Sequence, residues 1–159
     1  MPLKIREAIP KDSQTIFDFI MELAIYEKLP NAVKTTVKEI KDSIFATNST
    51  VKALICEEDG KAIGYAVYFY NYSTWLGKNG IYLEDLYVNE SKRGKGAGKA
   101  MIKYLAKKAI SEKCGRFEWA CLDWNTPSRE FYESLGAVAL NEWIGYRLEG
   151  DALEKFANN

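Results

Sequence analysis

Residues Lys92–Lys99 read KRGKGAGK, three glycines and four cations in eight positions. Glycines let a backbone come close to a ligand, and gathered cations make that ligand an anion. The run GIYLEDLYV (Gly80–Val88) before it reads as a strand, and KAMIKYLAKKAIS (Lys99–Ser111) after it has helical spacing. A strand, a glycine turn and a helix form a phosphate-holding device, because the first-turn amides lack helical partners and the helix dipole favours negative charge there. A P-loop needs four residues between its first glycine and the Gly-Lys pair, followed by Ser or Thr. Gly94 and Gly98 enclose three, and Ala100 follows Lys99. A dinucleotide fingerprint needs two residues between its second and third glycines, whereas Gly96 and Gly98 enclose one. What remains is Arg93-x-x-Gly96-x-Gly98, a loop suited to pyrophosphate without magnesium. Gly94, Gly96 and Gly98 open the backbone, and Arg93 and Lys95 add charge. The competing reading is a solvated turn that caps a helix.

Two further features bear on chemistry. Glu84 and Asp85 interrupt a strand that is otherwise Ile, Tyr, Leu, Leu, Tyr and Val, and carboxylates in such a setting are costly unless paired or functional. Adjacent strand residues face opposite sides, so the two acids are expected to do separate jobs rather than form a dyad. Histidine is absent. That removes the commonest general base, the Ser-His triad and nearly all zinc sites, and no metal is expected.

The bulk numbers narrow the class. The 159 residues suit one domain, 1–159, with a full core, and 47% apolar with 28% charged residues are globular proportions. Lys plus Arg equals Asp plus Glu at 22 each, so no overall field draws nucleic acid or an anionic membrane. Cys56, Cys114 and Cys121 are odd in number and lack metal spacing, as for reduced thiols in a cytoplasmic protein. The start MPLKIREAIPKD has no apolar signal core, and no run approaches a membrane span.

The elements that must position these residues follow from periodicity. LKIREAI (Leu3–Ile9) alternates as a strand. Pro10 and Asp12 open a helix in which Ile16, Phe19, Ile20, Leu23 and Ala24 share a face, ending before Pro30. Thr36 with Glu39 is a capping box for a second helix. VKALICEE and KAIGYAVYFYNY are strands joined by the hairpin signal Asp59-Gly60. After the glycine loop, Met101, Ile102, Leu105 and Ala109 form a buried stripe and Lys99, Lys103 and Lys107 a wet one. RFEWACLDW reads as a strand, and TPSREFYESLG as a short helix capped by Thr126, with Pro127 in its first turn and Gly136 at its end. EWIGYRLEG closes the sheet, and a short helix ends the chain. The expected fold is α/β: a mixed, mostly antiparallel sheet of about seven strands with helices on both faces.

The Arg93-x-x-Gly96-x-Gly98 loop resembles the acetyl-CoA motif of the GCN5-related N-acetyltransferase superfamily, and NTPSREFYESLGA resembles its companion motif. YSTWLGKNGIYLEDLYV, LDWN and ELAIYEKL look like the diamine/polyamine (spermidine/spermine) N-acetyltransferase subfamily, with its thialysine-acetylating branch closest. The likeness runs from Leu3 to Phe156. It implies that a small-molecule primary amine attacks acetyl-CoA directly in a ternary complex. The amine has a pKa of about 10.4 in water and arrives protonated. The enzyme must therefore bind a cation, remove its proton and manage the departing thiolate, whose own pKa is about 8.5 by analogy with cysteine.

The resemblance assigns roles by position. Tyr132 becomes the general acid for the thiolate; on its helix Phe131 and Leu135 face the core and Tyr132 sits at the margin. Glu84 binds the ammonium and accepts its proton. Asp85, Tyr26 and Glu27 contact the substrate. Leu86, Tyr87 and Val88 offer β-like backbone hydrogen bonds to pantetheine. The segment Arg93, Gly94, Lys95, Gly96, Ala97, Gly98, Lys99 cradles the pyrophosphate, and Asn125, Thr126, Pro127 and Ser128 contact the cofactor, with Asn125 readable equally as a helix cap. Trp119 and Ala120 line the acetyl pocket or simply pack in the sheet. Two departures stand out. Ala97 replaces the usual β-branched residue between the last two glycines. Asp123 precedes Trp124 where polyamine-specific members tend to have Glu, which shifts the likeness toward the thialysine type. The subfamily also implies a homodimer, with EWIGYRLEG as a strand able to pair across subunits. The alternatives are a protein lysine or N-terminal acetyltransferase and a non-catalytic CoA-binding regulatory module.

Overall fold

Asp59 and Gly60 adopt positive φ (53° and 77°), the conformation of a two-residue hairpin turn whose twist matches its strands. The turn joins β2 (Val51–Glu58) to β3 (Lys61–Ser73) antiparallel, with Leu54 opposite Ala66. β1 (Leu3–Glu7) lies antiparallel on the other edge of β2, and β4 (Lys78–Val88) lies antiparallel on β3. β5 (Phe117–Trp119) adds parallel to β4. The structure, a computed structural model, describes residues 2–159.

The expected mixed, mostly antiparallel sheet is present, but with five strands in the order β1-β2-β3-β4-β5 rather than about seven. Two segments account for the difference. RFEWACLDW contributes only Phe117–Trp119, because its pairing with β4 stops at Leu83. EWIGYRLEG is not a strand; residues 137–149 have no ladder partner among the described residues, and Trp143 and Tyr146 are 70% and 92% exposed. Their alternating pattern is real, but a strand also requires an edge to pair with.

The helices follow their local signals. A short 3-10 turn (Pro10–Asp12) leads into α1 (Ser13–Tyr26). α2 (Val37–Ile44) is capped as expected: the Thr36 hydroxyl accepts the Glu39 amide at 3.1 Å. α3 spans Ala97–Ser111, α4 spans Thr126–Ser134 and α5 spans Gly150–Ala157. The N-cap of α4 is Asn125 rather than Thr126, since its side-chain oxygen accepts the Ser128 amide at 3.3 Å. Asn reaches a third-position amide as readily as Thr, and of the two cap readings the sequence offered it is Asn125 that the structure uses.

The chain divides into two units, one ending at Ala120 and holding the sheet with α1–α3, the other comprising Cys121–Asn159 with α4 and α5. Within the first, Ile16 and Phe19 of α1 and Ile40 of α2 bury against Ala53, Ile55, Tyr65, Val67 and Tyr87 on one sheet face. On the opposite face, Met101 of α3 lies over Gly64, and Met101, Ile102, Leu105 and Ala109 are buried as the stripe predicted.

Candidate active site

The glycine loop is built as a cradle. Gly94 and Gly96 have φ of 79° and 86°, and no atom lies within 4 Å of the position a Cβ would take at either. Left-handed backbone alone selects glycine there, since an L side chain costs about 1–2 kcal/mol in that conformation. Gly98 differs. It sits in the first turn of α3, and its Cβ would meet only Val88 Cγ2 at 3.9 Å, an ordinary contact. A glycine in a helix costs about 1 kcal/mol relative to Ala, and nothing in the protein demands it. The first ladder bond of α3 runs from Ala100 N–H to Gly96 O, so the amides of Ala97, Gly98 and Lys99 point outward along the axis. Outward first-turn amides of this kind are donors suited to an anion such as phosphate. Ala97 turns its methyl into the core, while Lys95 and Lys99 are exposed around the opening.

β4 changes character at its acids. Val67 faces Asp85 but Tyr68 faces Leu83, so Glu84 is the extra residue of a β-bulge. The bulge shifts the strand's phase by one. Strict alternation therefore breaks between Leu83 and Asp85, and it no longer fixes the face of Glu84 relative to Asp85. Asp85 and Tyr87 instead share the face of their partners Val67 and Tyr65, toward α1. Pairing with β5 also ends at Leu83, so no strand of the sheet covers the outer edge of Asp85–Val88. Leu86, Tyr87 and Val88 thus lie beyond the β5 pairing, and Val88 O accepts the Arg93 Nε–H.

Arg93 ties these parts together. Its Nε donates to Val88 O at 2.9 Å, and its guanidinium lies 4.6 Å from the Tyr26 ring centroid and 5.2 Å from that of Tyr87. The end of α1 is thereby fixed to the end of β4 through cation–π contacts. The Tyr87 hydroxyl donates to Glu22 Oε1 at 2.9 Å, and burial with this carboxylate pushes its pKa up to about 12. Asn89 donates to the same oxygen at 3.3 Å.

The acids are arranged by depth. Glu84 is exposed, while Asp85 is half-buried and accepts the hydroxyl of fully buried Tyr65 at 2.7 Å. Burial raises the pKa of Asp85, and the Tyr65 hydrogen bond partly opposes that rise. Glu27, at the end of α1, is also raised, first by burial and then by the Asp85 charge. Tyr65 is pushed well up by burial, by Asp85, and by the charges of Glu27 and Glu84. Three of the four expected amine-side acids and aromatics, Glu27, Glu84 and Asp85, therefore act on one buried hydroxyl. The fourth, Tyr26, stacks on Arg93. The sequence reading missed Tyr65 and Glu22: the first hides in a strand rich in aromatics, and the second in a helix whose polar face gives no sign of what it meets.

The remaining candidates are placed as follows. Trp119 ends β5 and packs edge-on to Phe117, with ring centroids 5.0 Å apart. In the second unit, Asn125, Thr126, Pro127 and Ser128 form the start of α4, with Asn125 buried and serving as its cap. Tyr132 lies on α4, its ring 5.5 Å from that of Phe131. Arg129 steadies the approach by donating to Asp123 O at 3.0 Å. Among the described residues, no cluster of three or more His, Cys, Asp or Glu could hold a metal.

Comparison with known proteins gives a consistent result. The profile of the acetyltransferase (GNAT) family matches residues 17–137. The chain is 38% identical over 164 residues to a thialysine N-epsilon-acetyltransferase of Sus scrofa, covering 96% of each chain. It is 43% identical over 91 residues to an L-ornithine N5-acetyltransferase of Arabidopsis thaliana, covering 57% of this chain and 40% of that one. Among solved structures, an integron cassette protein from the mobile metagenome of V. cholerae superposes with a TM-score of 0.85 at 28% identity, covering 100% of this chain and 99% of that one.

Proposed function

The chain belongs to the acetyltransferase (GNAT) family, and from that premise we propose that it acetylates the terminal primary amine of a small diamino acid or diamine by direct attack on acetyl-CoA. One observation carries the reading: β4 presents the half-buried acid Asp85, beside Glu27, and leads directly into the glycine loop before α3. A cationic nucleophile and an anionic cofactor are thus served by a single strand. The relatives named for thialysine and ornithine act on molecules with a side-chain amine, and that shared chemistry supports this substrate class.

When bound, acetyl-CoA supplies a thioester carbonyl open to an amine and a thiolate leaving group. The amides of Ala97, Gly98 and Lys99 hold the pyrophosphate, with Arg93, Gly94, Lys95 and Gly96 shaping its approach. The stretch Leu86, Tyr87 and Val88, beyond the β5 pairing, takes the extended arm by backbone hydrogen bonds, and Asn125, Thr126, Pro127 and Ser128 add contacts at the start of α4. Asp85, Glu27 and Tyr26 draw in and seat the ammonium, and Trp119 borders the acetyl group. Glu84, exposed at the bulge, takes the proton directly or through water and returns it to solvent. Tyr132 would donate its hydroxyl proton to the departing thiolate and be reprotonated by the second proton that the nitrogen gives up as the amide forms, directly or through water. The family match, residues 17–137, extends from the first unit into the start of the second, which supports a single catalytic domain over 1–159. A homodimer and a cytoplasmic location complete the proposal. Cys56, Cys114 and Cys121 are not joined in disulfides, as a reducing compartment would keep them. No described helix is long and apolar enough to cross a membrane.

The test is CoA thiol release from acetyl-CoA with putrescine, spermidine, spermine, thialysine, ornithine, lysine and a lysine peptide, running Tyr132→Phe beside wild type. Turnover with a small amine, cut at least tenfold by Tyr132→Phe with the fold intact, is expected. Turnover with the peptide alone, or none despite tight acetyl-CoA binding, overturns the small-amine reading.

A further inference from the structure

We propose that Tyr65 is a positioning residue for amine recognition: from within the core, its hydroxyl holds one oxygen of Asp85 so that the other faces the incoming ammonium. The inference rests on the amine-acetylating reading above and adds to it a residue that does not touch the substrate. Tyr65 is 0% exposed, and its ring stacks on Phe19 of α1 at 5.6 Å between centroids. That packing leaves the hydroxyl little freedom. It donates to Asp85 Oδ2 at 2.7 Å, and an ionised carboxylate accepts such a bond more strongly than a neutral acid does. A carboxylate has two oxygens, and a fixed bond to one orients the other.

The surroundings explain why the carboxylate needs holding. Asp85 has Val67 and Tyr65 of β3 on its face, Glu84 and Tyr87 on its own strand, and Glu27 at the end of α1. Arg93, the guanidinium nearby, is turned to Val88 O and to the rings of Tyr26 and Tyr87. Burial drives Asp85 toward its neutral form, which has no use for an ammonium. The Tyr65 hydrogen bond acts in the opposite direction, favouring the ionised form. The hydroxyl therefore sets both the aim of the carboxylate and the pH down to which it stays charged.

The test is Tyr65→Phe, which removes one oxygen and keeps the ring. KM for the amine should rise at least tenfold, with kcat changed less than threefold and KM for acetyl-CoA unmoved. The acid limb of kcat/KM for the amine should shift to higher pH, because Asp85 loses a bond that stabilises its charge. A structural role alone would lower Tm and harm both substrates together, without moving that limb. If Tyr65→Phe proves too unstable to assay, Asp85→Asn, which keeps a carbonyl for the Tyr65 hydroxyl, must raise the amine KM and abolish the limb. A wild-type amine KM and an unmoved limb in Tyr65→Phe overturn the role of Tyr65 while leaving amine acetylation standing. Absence of amine-dependent thiol release in the wild type overturns both.

Discussion

Gly98 separates what one residue does for binding from what it does for folding. Its backbone is ordinary helix, and a methyl group there would touch nothing in the protein more closely than Val88 Cγ2 at 3.9 Å. Helix propensity alone favours Ala by about 1 kcal/mol. Gly98→Ala is therefore expected to raise the unfolding free energy by about that amount in thermal or denaturant melts without ligand. The same methyl stands before the open amides of the first turn of α3, so calorimetric titration should show acetyl-CoA affinity falling about tenfold or more. Opposite signs from one substitution identify a glycine kept for a ligand. Unchanged affinity would place the pyrophosphate elsewhere. Gly94 and Gly96 make the contrast, since there the left-handed backbone would turn any side chain into a loss of stability as well.

At the scale of elements, one carboxylate joins β1 to α1. Asp12 accepts the Ile9 amide at 2.7 Å and both terminal nitrogens of Arg6, at 2.8 and 2.9 Å, while Arg6 also reaches Glu57 on β2 at 3.3 Å. The Arg6 bonds, then the Ile9 amide, hold the Asp12 pKa below the ordinary carboxylate value against the cost of burial. A depressed folded pKa contributes stability that is full above the unfolded value and is lost as pH falls through the folded one. Asp12→Asn should cost about 2–3 kcal/mol at pH 7 and flatten the fall in stability between neutral and acid pH, as read by urea melts across that range. An equal slope in both proteins would mean that Arg6 contributes no net charge pairing. Sequence showed the ends of this connection, a strand and a helix start at Pro10, but not the bond between them. The same division holds elsewhere. The Thr36 cap, the Asp59-Gly60 hairpin and the stripe of α3 were legible because each is written in neighbouring residues. The bulge at Glu84 was not, because it exists only in the pairing of β4 with β3. The glycine loop and the tyrosine helix were legible as spaced motifs, whereas Tyr65 acquires its meaning only opposite Tyr87 and beside Asp85.

For the whole molecule, the open question is what covers the C-terminal segment. Val138, Leu140, Trp143, Ile144, Tyr146 and Leu148 are all exposed, six large apolar side chains within eleven residues and no strand among them. Exposed apolar side chains gathered in one segment are what an interface would cover. Leu140 and the pair Ile144 and Tyr146 fall at even spacing, as they would on one face of a strand that has found an edge. A second copy is the partner expected by the dimer proposal, and a twofold interface buries each residue twice. Light scattering after size exclusion should then give a mass twice that of the 18.1 kDa chain. Ile144→Ala removes a buried side chain from both subunits at once, at about 2 kcal/mol each. The dimer Kd should therefore rise by roughly a thousandfold, since each 1.4 kcal/mol is about tenfold, moving the variant toward monomer at micromolar concentration. A wild type that stays monomeric at high concentration would leave these side chains to another partner, and with it the role of EWIGYRLEG as a strand between subunits.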